Sequence, residues 1–235
     1  MLKLPPILQG ESLTRLLQGI AVGAVATIVI GFYWGGWVLG GTADKMAMQR
    51  SEVAVVAALA PECAAKFAAL LMAYSYVRVA NAWPTPFEFY PAIIFSSVMT
   101  FVLLSSSLTM VFGVDAAGRG DRKATKKWIW ATMLFGLLFI VLHGREWMHL
   151  IHDGVTPLTN PWGTPLFGST FFLCTGLHMT HVAIGVVYLG VVAWGFGRGK
   201  YDAEDVEVCG LYWHFVDLVW MFIFPLLYLM STKVS

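Results

Sequence analysis

Apolar residues run in six long stretches along the chain, separated by short polar or glycine- and proline-rich segments. The stretches lie at about 17–40, 53–77, 89–114, 128–147, 167–196 and 210–230. A spanning helix needs about 20 apolar residues, because it must cross ~30 Å of hydrocarbon at 1.5 Å per residue. All six meet that length, and the fifth is long enough to tilt. The pattern predicts an all-α fold, a polytopic transmembrane helix bundle of about six spanning helices. The first run is too long for the apolar region of a signal peptide, although GGT at 40–42 offers a cleavage context, so a retained helix is expected.

Composition narrows the class further. Of 235 residues, 58% are hydrophobic and 12% charged, against about 25% charged in soluble domains. A net charge of +1 leaves no basic surplus for binding a polyphosphate. Cys63, Cys174 and Cys209 are far apart and form no CxxC pair, which argues against a disulfide framework or a cysteine-based metal site. If six spans alternate, the segments 41–52, 118–127 and 197–208 share one side and carry nine basic residues, against five on the other. The positive-inside rule then places both termini outward. No loop is long enough to form a separate domain, and no internal repeat is visible.

Ionisable groups inside a span cost at least ~2.5–3.5 kcal/mol at the bilayer centre, so each calls for a partner. Glu62 and Lys66 are four apart in the second stretch, in the order that favours an ion pair near mid-depth. They read either as a self-neutralising pair or as a proton or ligand site built on Glu62. His178 and His181 share one face of the fifth stretch. Two imidazoles at this spacing suit a metal or a hydrogen bond to a neighbouring helix; further ligands could come from His214 and Glu62 only if the helices converge, so the hydrogen bond is favoured. His214 and Asp217 repeat the spacing, either sharing a proton or locking the sixth helix to a neighbour. Arg145 and Glu146 stand at the outer mouth of the fourth stretch, where snorkelling to water makes both interfacial anchors. Trp34, Trp37, Trp83, Trp128, Trp130, Trp147, Trp194 and Trp213 fall towards stretch ends, as an aromatic belt does. Ser105, Ser106 and Ser107, with Gly136 and Gly185, suit close helix packing.

Several segments resemble one known family. FGSTFFLCTGLHMTHVAIGVVYL (167–189) and YWHFVDLVWMFIFPLLYL (212–229) are similar to the signature segments of subunit III of the haem–copper cytochrome c oxidases. LLSSSLTM (103–110), LFGLLFIVLHGREW (134–147) and PEC (61–63) look like further stretches of that family, in the same order. The resemblance covers about 53–230, so the chain divides into an N-terminal segment, 1–52, with one transmembrane helix, and a subunit III-like bundle, 53–235. The matching polar positions are Glu62, Glu146, His178, His181, His214 and Asp217.

The resemblance implies a non-catalytic subunit that performs no chemistry alone. It would bind no haem, copper or other metal itself. It would hold phospholipid, pack on the catalytic subunit I and other subunits of a respiratory oxidase that carry haem and copper, and support assembly and proton uptake. It also implies a bacterial inner membrane, with the mitochondrial inner membrane as the alternative. A quinol oxidase or nitric oxide reductase could use the same module. A proton-coupled transporter built on Glu62 and Lys66 is disfavoured by the lack of repeats and of matched broken helices, and a di-histidine haem or copper protein by the incomplete ligand set.

Overall fold

The computed structural model describes residues 51–233, with side chains from Cys63 onward apart from Pro165. The first apolar stretch, residues 41–50, and the Glu62 side chain lie outside the described residues, and so does the expected Glu62–Lys66 pair. Five helices follow in order: α1 (Ser51–Ala80), α2 (Ile94–Gly118), α3 (Arg122–His152), α4 (Pro165–Gly197) and α5 (Ala203–Ile223). A π turn, Phe89–Ile93, leads into α2, and the turns Phe224–Tyr228 and Leu229–Ser231 extend α5. All five are long and apolar enough to cross a membrane. No strand forms among the described residues beyond a single parallel bridge between Phe87 and Thr232.

The helices outrun the apolar stretches that mark them. Arg122, Lys123, Lys126 and Lys127, expected in a loop, occupy the first turns of α3. Hydropathy sees only the hydrocarbon-crossing part, whereas the helix starts where Asp121 caps it. The Asp121 carboxylate accepts the backbone N–H groups of Lys123 and Ala124 at 3.1 and 3.0 Å. Asp202 starts α5 likewise, in a capping box with Asp205. Gly120 (φ 74°) and Gly199 (φ 75°) supply the left-handed residue that lets these two turns close within a few residues.

The two turns lie at one end of the bundle, where Arg122 reaches Gly199 and Lys126 reaches Gly197. The opposite end joins the remaining loops to the C-terminal segment. The backbone N–H of Phe87 donates to the Ser231 carbonyl (3.3 Å), and that of Lys233 to the Phe87 carbonyl (2.9 Å). Arg78 clamps the same end, donating to the Tyr74 hydroxyl (2.9 Å), Ser231 Oγ (3.1 Å) and the Met230 carbonyl, while the Tyr74 hydroxyl donates to the Leu226 carbonyl.

The core runs along the facing sides of α2 to α5, with Met99, Leu103, Met110, Phe139, Val182, Leu189 and Trp220 fully enclosed. Phe101, Leu134, Val141 and Val187 are equally apolar and face outward. Lipid accepts apolar side chains as readily as a core does, so packing and hydrogen bonds select the inner face here. Serine and threonine hydroxyls inside the helices bond to the carbonyl four residues back, as Thr100 does to Ser96 (2.9 Å) and Thr175 to Phe171 (2.7 Å).

Tryptophans divide between belt and core. Trp130 and Trp194 are 54% and 61% exposed, and the Arg198 guanidinium stacks 3.8 Å from the Trp194 ring. Trp213, expected in the belt, is buried instead, its indole N–H donating to Ser106 Oγ at 2.9 Å. Trp147 likewise packs inward, edge-on to Phe172 and His143. Nearness to a stretch end does not fix which side of a helix a residue occupies.

Candidate functional site

Polar side chains form a discontinuous column through the bundle, built from facing helices. At the end that holds Ser231, the Glu146 carboxylate of α3 accepts two hydrogen bonds. Ser96 Oγ of α2 donates at 2.7 Å and the Tyr228 hydroxyl, beyond α5, at 2.6 Å. This corrects the reading of Glu146 as an anchor that snorkels to water. Its neighbour Arg145 is the exposed one, with its guanidinium 5.6 Å from the Phe95 ring centre. Successive helical residues point about 100° apart, so one of the pair faces in and the other out.

Deeper in the bundle, His181 of α4 contacts two helices at once. Its Nδ1 lies 3.2 Å from the Tyr212 hydroxyl of α5 and 3.5 Å from Cys63 Sγ of α1. The Tyr212 hydroxyl also donates to the His181 carbonyl at 3.3 Å. His178, one turn away, was expected to bond similarly and does not. Both its ring nitrogens are buried with no hydrogen-bond partner among the described residues. It sits instead among rings, 5.8 Å from Phe139 and 5.0 Å from Trp220 between centres. The i, i+3 spacing puts both histidines on one face, but only His181 meets a polar group there.

Near the middle of α5, His214 Nδ1 bonds Ser107 Oγ of α2 at 2.7 Å, and Ser107 also faces the Asp217 carboxyl. His214 is therefore tied to α2, while Asp217 Oδ1 has no hydrogen-bond partner among the described residues, and the two make no direct ion pair. The Thr109–Thr132 bond (2.8 Å) joins α2 to α3, and Trp220 Nε1 to Thr100 Oγ1 (3.0 Å) joins α5 to α2. Ser107→Ala should lower bundle stability by about 0.5–2 kcal/mol, the range of interhelical hydrogen bonds in membranes. Thermal unfolding in detergent measures it, and an unchanged transition would show that the contact contributes nothing.

Sequence reasoning missed His143, Tyr228, Ser96 and Tyr212. His143 carried a usable signal, an ionisable ring within a span three residues before Glu146. The hydroxyl partners carried none, since serine and tyrosine recur throughout the spans. Among the described residues, no three His, Cys, Asp or Glu side chains converge as a metal-ligand set.

The family model of cytochrome c oxidase subunit III matches residues 67–232, most of the chain. The chain belongs to that family. The match takes in α2 to α5 whole and all of the column described above except Cys63. A cytochrome c oxidase subunit 3 of Corynebacterium diphtheriae is 37% identical over 137 residues, 57% of this chain and 64% of the relative. A quinol oxidase subunit 3 of Bacillus spizizenii is 38% identical over 137 residues, 57% of this chain and 65% of the relative. A probable cytochrome c oxidase subunit 3 of Mycobacterium leprae is 34% identical over 169 residues, 69% and 79% of the two chains. The match thus spans a little under two thirds of the length of the first two relatives.

Proposed function

We propose that the chain is the non-catalytic subunit III of a haem–copper terminal oxidase in a bacterial inner membrane, packed against the catalytic subunit I. The family match over 67–232 carries this reading. The chemistry of the column supports it. Glu146 spends both carboxylate oxygens, and His181 and His214 their Nδ1 atoms, on neighbouring elements, which suits a scaffold better than a reaction centre. Haem and copper belong, in this reading, to the partner subunits. Cytochrome c is the electron donor we favour for the complex. A quinol is the second reading, favoured by the quinol oxidase subunit 3 relative.

Phospholipid fits an open groove of about 550 Å³ along α4, lined by Ile184, Val187, Tyr188 and Val191 and ending at Lys200 and Tyr201. The apolar length would take an acyl chain, with the lipid phosphate beside Lys200. The seven basic residues at this end of the described bundle (Arg119, Arg122, Lys123, Lys126, Lys127, Arg198, Lys200) favour it as the cytoplasmic end, with both termini outward.

The supporting role predicts a kinetic signature. Oxidase assembled with Glu62→Ala should begin turnover at the wild-type rate and then lose activity faster, or assemble in lower yield. Oxygen-electrode traces on the purified complex read both phases. Immediate loss of all activity in a fully assembled complex would overturn the non-catalytic reading.

A further inference from the structure

Of seven buried side-chain polar atoms without a hydrogen-bond partner among the described residues, five belong to three rings of α3 and α4. They are both ring nitrogens of His143 on α3, both of His178 on α4, and the Trp147 indole nitrogen, and each is buried without a hydrogen bond among the described residues. They border one aromatic wall. His143 lies 5.5 Å from Phe139 and 5.3 Å from Trp220 between ring centres, and His178 lies 5.8 and 5.0 Å from the same two rings. Trp147 stands edge-on to His143 at 5.7 Å.

A neutral imidazole carries one donor and one acceptor, and an indole one donor. The three groups therefore offer three N–H donors and two acceptors. They cannot satisfy one another fully, since one donor is left over whatever tautomers are chosen. A cation would meet two lone pairs and a repelling N–H, which is a poor ligand set. A molecule that donates and accepts at once, and is small enough to sit among close-packed rings, meets the need. Buried polar groups nearly always find a partner, and interior water is held where two to four polar atoms converge.

We propose that ordered water is bound between α3 and α4 beside Trp220, hydrogen-bonded to His143 and His178. By its place on the two helices, this water lies between the His181–Tyr212 contact and the Glu146–Tyr228 contact.

Electron cryo-microscopy of the chain in its native membrane assembly, at a resolution that shows ordered water, decides the matter. Density within hydrogen-bond distance of a nitrogen of both His143 and His178 is the expected result. Imidazoles that meet only carbon, or that bond directly to another side chain, overturn the proposal. A double-mutant cycle gives an independent reading. His143→Leu and His178→Leu should each lower the melting transition by a few degrees, and the double variant should fall no further than the worse single. Single variants as stable as wild type, or strictly additive losses, count against a shared water.

Discussion

Trp213→Ala is expected to lower the stability of the bundle by ~3–5 kcal/mol, the usual range for emptying a large aromatic site in a packed interior. The indole joins four helices' worth of contacts through one side chain. It projects from α5 into a slot between Gly136 of α3 and Gly185 of α4. A Cβ at Gly136 would stand 2.5 Å from Trp213 Cη2 and 2.8 Å from Val186, and one at Gly185 would stand 3.0 Å from the same indole. The indole N–H also donates to Ser106 of α2, so truncation leaves that hydroxyl without its donor. Helix association in a membrane rests on such van der Waals fit and small-residue contact, with little help from the hydrophobic effect. Gly136→Ala tests the slot from its other wall and should destabilise by about 1–3 kcal/mol through overpacking. Combined with Trp213→Ala its cost should fall, because the clash with the indole is relieved and only the one with Val186 remains. Thermal unfolding of the four proteins reads the cycle. Additive losses would mean that the two residues do not share this contact.

Glu146→Ala should cost about 1–3 kcal/mol, because it strands the buried Tyr228 hydroxyl, whereas Ser96 Oγ keeps the Ala92 carbonyl at 3.1 Å. Ser96 and Tyr228 come from different helices and converge on the two carboxylate oxygens at 2.7 and 2.6 Å. Without the acceptor, the last turns beyond α5 lose their tie to α3 near the end clamped by Arg78. Glu146→Gln keeps one carbonyl acceptor and the side-chain volume, and should retain most of the stability. Limited proteolysis at the C-terminal segment, together with the melting transition, distinguishes the two variants. An alanine variant as stable as the glutamine variant would show that the carboxylate is not the tie described.

The spans were legible because an apolar run of about 20 residues has few other uses. Their ends were not. Asp121 and Asp202 fix the starts of α3 and α5 through cap hydrogen bonds, which hydropathy does not register. Nor was the inner face legible. Leu134 and Phe139 are apolar residues of the same stretch, yet the first is 67% exposed and the second 0%. In a lipid environment both placements are acceptable for an apolar residue, so periodicity carries little information. Arg145 and Glu146 show the same limit for charge, since adjacent positions in one motif took opposite roles. The histidines divide similarly. His181 was readable as an interhelical bond, but whether His178 had a hydroxyl opposite depended on α3 and α5, which its own helix does not encode. Locks between distant residues, such as Ser107 with His214, become visible only once the helices are side by side.

As the proposed subunit III, the packed helical scaffold serves a larger redox assembly. Gentle solubilisation of the native membrane followed by affinity capture of this chain tests that most directly, with the optical spectrum and subunit composition of the captured material as the readout. Co-capture of a haem- and copper-bearing polypeptide is the expected result, with the haem absorption lost once that polypeptide is stripped away. A chain that emerges alone and monodisperse, or that keeps a stoichiometric haem band by itself, would contradict it.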